Sequence, residues 1–95
     1  MTDTLEDRAL LEVHFTDLHT NDTATFAVPG DVEFQRAWAM AYDELGETRR
    51  QTDTLESAGG EDMTPFLGET VREVQHRHVR DLRFQIRGGT GGASR

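Results

Sequence analysis

Leu82-Arg83-Phe84-Gln85-Ile86-Arg87, followed at once by Gly88-Gly89-Thr90-Gly91-Gly92, is the stretch on which the fold turns. Leu82, Phe84 and Ile86 alternate with Arg83 and Gln85, so a strand here buries one row of side chains and offers the other to water. After Ile86 the chain offers nothing that can pack. A core strand therefore leads directly into a glycine-rich end, expected to be a flexible tail over residues 88–95.

Upstream of that strand, Thr70-Val71-Arg72-Glu73 has the spacing of a capping box, which predicts a short helical turn carrying Val71 and Val74. Before it, Thr54-Leu55-Glu56-Ser57 predicts a short strand that stops at Ala58-Gly59-Gly60. A second short piece is expected through Asp62-Met63-Thr64, with Phe66 and Leu67 turning inward. Further back, Phe34, Ala37, Trp38, Ala41 and Leu45 recur at helical spacing on one face, with Asp31 as the expected cap and Gly46 as the stop. This predicts one long amphipathic helix.

The N-terminal part reads as a hairpin. Leu11, Val13 and Phe15 alternate with Glu12, His14 and Thr16, and alternation resumes at Ala24, Phe26 and Val28. The intervening His19-Thr20-Asn21-Asp22 suits a turn, since Asn and Asp tolerate left-handed backbone angles. Residues 1–9 are polar and aperiodic and are expected to be a flexible leader, so the folded domain should span residues 10–87. The order is hairpin, helix, short strands, short helix, final strand: an α+β domain. The last strand of such a sheet can lie beside the first, in the middle.

Composition narrows the function. Ninety-five residues suffice for one compact core, which favours a binding module or carrier over an elaborate enzyme. Cysteine is absent, excluding disulfides, thiolate metal sites and a cysteine nucleophile. No apolar run approaches the length of a membrane span and the first residues lack the order of a secretion signal, so a cytoplasmic protein is expected. A formal charge of −8 argues against nucleic acid as a partner, because phosphate contacts need a positive surface.

All ten basic residues are Arg. A GC-rich genome would produce the same bias. The functional reading is that a chain without Lys offers no ε-amine to amide-forming chemistry, guanidinium being protonated and non-nucleophilic near neutral pH.

The ordered set of elements resembles ubiquitin and its relatives over roughly residues 10–92. Leu11 to Val28 resembles the first hairpin, Asp31 to Leu45 the helix, and Leu55-Glu56-Ser57-Ala58-Gly59 the strand that ends in Ala-Gly. From Thr70 through Ile86 the match runs without a gap, Leu-x-Phe-x-Ile standing where ubiquitin has Leu-x-Leu-x-Leu. The resemblance implies a ubiquitin-like β-grasp fold, a mixed four- to five-stranded sheet packed on the long helix. More narrowly, the chain looks like the ubiquitin-like modifiers of bacterial operons, some implicated in antiphage defence. It would then have as partners an E1-like adenylating enzyme, an E2-like carrier, a deubiquitinase-like peptidase and target proteins.

By that resemblance the tail is the working part. Glycine suits an end that must thread a narrow channel in extended form, because any Cβ would meet backbone on both sides. The candidate conjugation and processing residues are Gly91-Gly92 and Gly88-Gly89. Gly92 is the sixth residue after Ile86 and Gly89 the third, about 20 Å against about 10 Å of extended chain. The longer reach is closer to a ubiquitin-length tail, although Arg87-Gly88-Gly89 matches the Arg-Gly-Gly letters. Residues follow either glycine, so a peptidase would have to free the carboxylate before adenylation and transfer. The chain itself supplies no catalytic residue, and no cofactor or metal is implied.

Where ubiquitin presents an apolar sheet patch, this chain has Glu56, Arg83 and Gln85, which with Arg87 are the candidate residues for tail and partner recognition. Ordinary ubiquitin receptors should bind it poorly, and single modification of targets is expected. His14, His19, His76 and His78 read as surface residues: His76-Arg77-His78 sits beside a cation and lacks a carboxylate or Cys at ligand spacing, and zinc needs several ligands. Trp38 reads as core. A sulfur carrier ending in a thiocarboxylate is the alternative, against which Ala93-Ser94-Arg95 speaks; a β-grasp interaction domain that is never conjugated is a third reading.

Overall fold

The computed structural model describes residues 10–88; residues 1–9 and 89–95, and with them the expected leader and most of the expected tail, lie outside the described residues. The hairpin forms as its alternation dictates. β1 (Leu10–Asp17) and β2 (Asp22–Pro29) run antiparallel, with Val13 opposite Phe26 and Phe15 opposite Ala24. Val13, Phe15, Ala24 and Val28 are buried, while Leu11 and Phe26 pack half-buried against them. The turn closes at Asn21, whose φ of 66° is left-handed and better tolerated by Asn than by most residues. The inward period runs one step past the apolar letters, so that Asp17 is buried as well.

α1 (Phe34–Leu45) buries Phe34, Ala37, Trp38 and Ala41, with Tyr42 buried beside them and Leu45 half-buried. Tyr42 follows Trp38 by four residues and precedes Leu45 by three, which places it on the same face. Two expectations about this helix are corrected. Asp31 does not cap it: the cap position is Glu33, whose side chain makes no capping bond. The N–H groups of Phe34 and Gln35 instead donate to the carbonyls of Glu69 and Leu67, at 2.8 and 3.0 Å, so a distant loop satisfies donors that a helix start leaves open. Nor is the helix long. Its twelve residues are ordinary for a globular domain, because a bridge between Glu33 and Thr70 keeps the preceding residues extended and Gly46, at φ 71°, ends it in the left-handed conformation.

β3 (Thr54–Ser57) appears where the alternation places it. The segment after it does not become a fifth strand: it makes a single bridge, Glu56 with Asp62, and then a 3-10 turn over Thr64–Phe66. Pro65 is the physical reason, since it has no N–H for a ladder and its fixed φ suits the first positions of a helical turn. Met63 is nevertheless fully buried, and Phe66 and Leu67 pack at the edge of the core. α2 (Val71–Arg77) opens with the expected capping box: Glu73 N–H donates to the Thr70 hydroxyl at 3.1 Å and Thr70 N–H to the Glu73 carboxylate at 2.9 Å.

β4 (Arg83–Arg87) completes a mixed four-stranded sheet in the order β2-β1-β4-β3. It lies in the interior of the sheet, parallel to β1 and antiparallel to β3. Its inward residues Phe84 and Ile86 meet Phe15, Phe34 and Leu55 in the core, with the rings of Phe34 and Phe84 4.8 Å apart between centroids. The sheet thus packs one face on the helices and leaves the other to solvent.

Candidate functional site

Because side chains alternate along a strand, the residues of β4 that do not enter the core share the outer face with their neighbours. Register decides which of them meet. Gln85 pairs with Glu56 of β3 and with Thr16 of β1, Arg83 with His14, and Arg87 with Thr54. All four candidate recognition residues, Glu56, Arg83, Gln85 and Arg87, therefore stand on one face.

The structure brings three of them into contact. The Arg87 guanidinium donates twice to the Glu56 carboxylate, from Nε to Oε2 at 2.9 Å and from Nη2 to Oε1 at 3.2 Å. Gln85 Nε2 donates to the same Oε1 at 2.9 Å. The two-pronged geometry matches the planar fork of arginine to a carboxylate. The bond from Arg87, and then the one from Gln85, hold the Glu56 carboxyl below its usual value against the opposing effect of burial. The same bond raises the Arg87 guanidinium. Arg83 stands apart from this group, its nearest recorded charge being Asp81 at 3.9 Å.

These bonds mark the place where the tail begins. On the β1 side the last backbone bond to β4 runs from Leu18 N–H to the Ile86 carbonyl at 3.0 Å. On the β3 side the ladder continues to Arg87, whose carbonyl accepts from the Thr54 hydroxyl at 3.4 Å. Arg87 is thus the last residue of the strand, and the expectation that nothing packs after Ile86 is corrected for its side chain, which lies against Glu56. Of the four candidate tail glycines only Gly88 is described; Gly89, Gly91 and Gly92 lie outside the described residues. A Cβ built on Gly88 meets no described atom within 4 Å, and its φ is not left-handed. Neither packing in the described domain nor backbone conformation requires glycine there.

The rest of the outer face is polar. Thr16 and Thr23 share a hydrogen bond of 2.9 Å across β1 and β2, and His14 lies 3.1 Å from the Thr25 hydroxyl and 3.3 Å from Glu12. The large hydrophobic side chains exposed among the described residues, Leu10, Leu18 and Met40, are not on β3 or β4. His14 and His78 are half-buried, not simple surface residues: His78 stacks on Phe66 at 3.8 Å and meets Glu69 at 3.2 Å. Trp38 lies in the core, with the Arg49 guanidinium 3.9 Å above its ring. No helix among the described residues is long and apolar enough to cross a membrane.

Thr54 is the member of the site that sequence reasoning missed. Its signal was present, since it shares the outward parity of Glu56, but the partner across the ladder follows from register alone. The buried polar groups Asp17, Tyr42 and Asp53 were also missed, because each owes its position to a neighbour remote in the chain.

No family model matches the chain, and no curated protein sequence matches it. Among solved structures it is similar to the solution structure of the UBL domain of yeast Ddi1, with a TM-score of 0.62 and 14% identity over 85% of this chain and 91% of that one. Likeness at this identity establishes the fold. The described residues form a small α+β domain with a ubiquitin-like fold, with four strands and two α-helices.

Proposed function

We propose that this protein is a ubiquitin-like modifier, trimmed after a C-terminal diglycine, activated by an E1-like enzyme, passed to an E2-like carrier and joined through its terminal glycine to target proteins. One observation carries the reading. The tail leaves from an interior strand, at a residue held by Glu56 and Thr54, and begins with a glycine that neither packing in the described domain nor backbone geometry requires. Glycine at that place would let the chain enter a narrow enzyme channel in extended form. Reach favours Gly91-Gly92 over Gly88-Gly89 as the working end.

In this role the chain provides an acyl group and a recognition surface and no catalytic residue. A peptidase frees the glycine carboxylate, adenylation activates it, and a partner thiol and then a target amine or hydroxyl displace the leaving group in turn. The domain's part is to deliver the tail in one orientation, which lowers the entropic cost of the partner's reaction. Lacking Lys, the chain offers no ε-amine as acceptor, so single modification of targets is the expected product. A role in antiphage defence and a bacterial source belong to this proposal through the resemblance alone, and a cytoplasmic location belongs to it as an expectation from the sequence.

A second reading has one observation in its favour: the similar structure is a domain of another protein. This chain would then act through its surface and have no need of a free tail. Co-expression with adenylating, carrier and peptidase enzymes from its genomic neighbourhood, followed by intact-mass measurement, separates the two. Loss of Ala93-Ser94-Arg95 with a tail-dependent adduct on another protein is the expected result. An unchanged chain in the presence of active enzymes would overturn conjugation in favour of the interaction domain, and exchange of a terminal oxygen for sulfur would make it a sulfur carrier.

A further inference from the structure

We infer that Glu56 is a positioning residue that holds the end of β4 at Arg87, and so selects Gly91-Gly92 over Gly88-Gly89 as the diglycine a partner enzyme can take. The selection rests on the modifier reading; the positioning does not.

The argument begins with how the end of β4 is held. The β1 side lets go at the Ile86 carbonyl. Beyond it, Arg87 is kept in the sheet by one neighbour only, a strand of four residues. A last pair on a short strand frays readily, because its bonds are open to water and little apolar surface backs them. Glu56 changes this by binding the Arg87 side chain at two points, while Gln85 holds the same carboxylate from the adjacent position of β4. The Glu56 carboxylate is largely screened, its side chain 17% exposed. Arg87 is therefore fixed by its side chain as well as by its backbone.

The consequence for reach is arithmetical. Gly89 is the second residue after Arg87 and Gly92 the fifth. At about 3.3 Å per extended residue, chains of those lengths span at most about 7 Å and about 17 Å. Seven ångströms is only about one and a half times the roughly 4.8 Å spacing between neighbouring strands. A cleft closing around the carboxyl of Gly89 would have to accommodate Arg87, Thr54 and Glu56 within its walls. A cleft closing around the carboxyl of Gly92 is five residues removed from that strand end. If Arg87 were released, the free chain would lengthen and Gly89 would come within reach.

Trypsin tests the positioning without any partner, because cleavage at Arg87–Gly88 requires the Arg87 side chain to leave Glu56 and enter the protease. In the full-length chain the rate at this bond is compared with that at Arg49 and Arg50, which report general loosening, alongside the melting temperature of each variant. Relative to those internal sites, Glu56→Ala is expected to speed cleavage after Arg87 at least tenfold. Glu56→Gln, which keeps one acceptor for the fork, should fall between it and the parent chain. Equal relative rates in all three would overturn the positioning role, and a parallel rise at all sites would reduce Glu56 to a stability residue and overturn it too.

The selection is read by intact mass after co-expression with the neighbouring peptidase. The parent chain should end at Gly92, and Glu56→Ala should also yield product ending at Gly89. Cleavage of the parent chain after Gly89 would overturn the selection. Cleavage at neither glycine, with a peptidase active on other substrates, would overturn the modifier reading and the selection with it, while the trypsin ratio would still decide the positioning.

Discussion

Asp17, the last residue of β1, and Glu47, just past the end of α1, set two carboxyls against each other, and the buried Asp17 Oδ2 and Glu47 Oε1 are reached by no N–H or O–H of the described residues. Two acceptors so placed can be joined only through a shared proton. That bond, then burial, then the charge of Asp17 push the Glu47 carboxyl above its usual value. Burial also works to raise Asp17, but the bond from Glu47, the His19 N–H at 2.8 Å and the charge of Arg50 together outweigh it and leave Asp17 lowered.

The signs are opposite for the two groups. The contribution of Glu47 is fully present below its ordinary value of 4.5 and is lost as pH rises through the raised folded value. That of Asp17 is present above its ordinary 3.8 and is lost as pH falls through the lowered folded value. The pair should therefore support the fold best in mildly acidic solution. Glu47→Gln replaces the shared proton with an amide donor that does not titrate. Its melting temperature should exceed that of the parent chain at pH about 8, with the gap closing towards pH about 4. A gap of the same size at both ends would mean that no proton is shared.

Tyr42 and Asp53 form a second buried contact. The Tyr42 hydroxyl donates to Asp53 Oδ2 at 2.8 Å, and the Arg50 N–H donates to the same oxygen at 3.1 Å. Tyr42→Phe removes a hydrogen bond to a charged group while leaving the ring, so it should cost about 1.5–3 kcal/mol in urea denaturation; a change within about 0.5 kcal/mol would show the bond to be idle. Burial, followed by Asp53, raises the phenol above its ordinary 10.0. Tyr42 is the single tyrosine of the chain, so absorbance near 295 nm should remain flat past pH about 10, where an exposed tyrosine ionises. The stabilising contribution is fully present below that ordinary value and is lost as pH rises through the raised one.

Leu82 enters β4 with a φ of 52°, a left-handed conformation rare for a bulky residue. It is held there by burial of its side chain and by its carbonyl, which accepts from His14 N–H at 3.0 Å. Leu82→Ala should cost about 2–5 kcal/mol from lost packing. Glycine, normally the worse choice because of its freedom in the unfolded chain, gains here from relief of about 1–2 kcal/mol of backbone strain. Leu82→Gly should therefore fall within about 1 kcal/mol of Leu82→Ala. A glycine variant clearly less stable than the alanine one would argue that the backbone is unstrained.

The outer face of β3 and β4 offers charge and amide groups where an apolar docking surface would need hydrocarbon. A receptor helix that binds the apolar patch of ubiquitin should leave the NMR spectrum of this protein unchanged at ligand concentrations that saturate ubiquitin. Arg83→Leu with Gln85→Val leaves Glu56 and Arg87 in place and adds a contiguous apolar strip. The double variant should gain shifts confined to β3 and β4. Shifts there in the parent chain would show that the polar face docks such helices after all.

Part of this architecture was legible from local pattern. The alternation at Leu11–Phe15 and Leu82–Ile86 requires only that one face of a strand be dry, and the Thr70–Glu73 capping box closes within a single turn. The helix start shows where local reading stops. Asp31 has the right letter for a cap, yet Phe34 and Gln35 find their acceptors in Glu69 and Leu67, more than thirty residues away in sequence. The expected fifth strand failed for a local reason that was available: Pro65 was in plain view.

The candidate site divides in the same way. Arg83, Gln85, Arg87 and Glu56 could be assigned to an outer face from parity alone, and the tail glycines and the absence of Lys are visible as letters. That Glu56 meets Gln85 and Arg87 while Arg83 stands apart, and that Asp17 meets Glu47, depended on strand register and on where a loop returns. By itself the sequence determined which segments become strands, helices and stops, because those signals lie in periods and caps a few residues long. Only the tertiary structure decided which polar side chains meet, because contacts between segments some thirty residues apart are set by how the shared core packs.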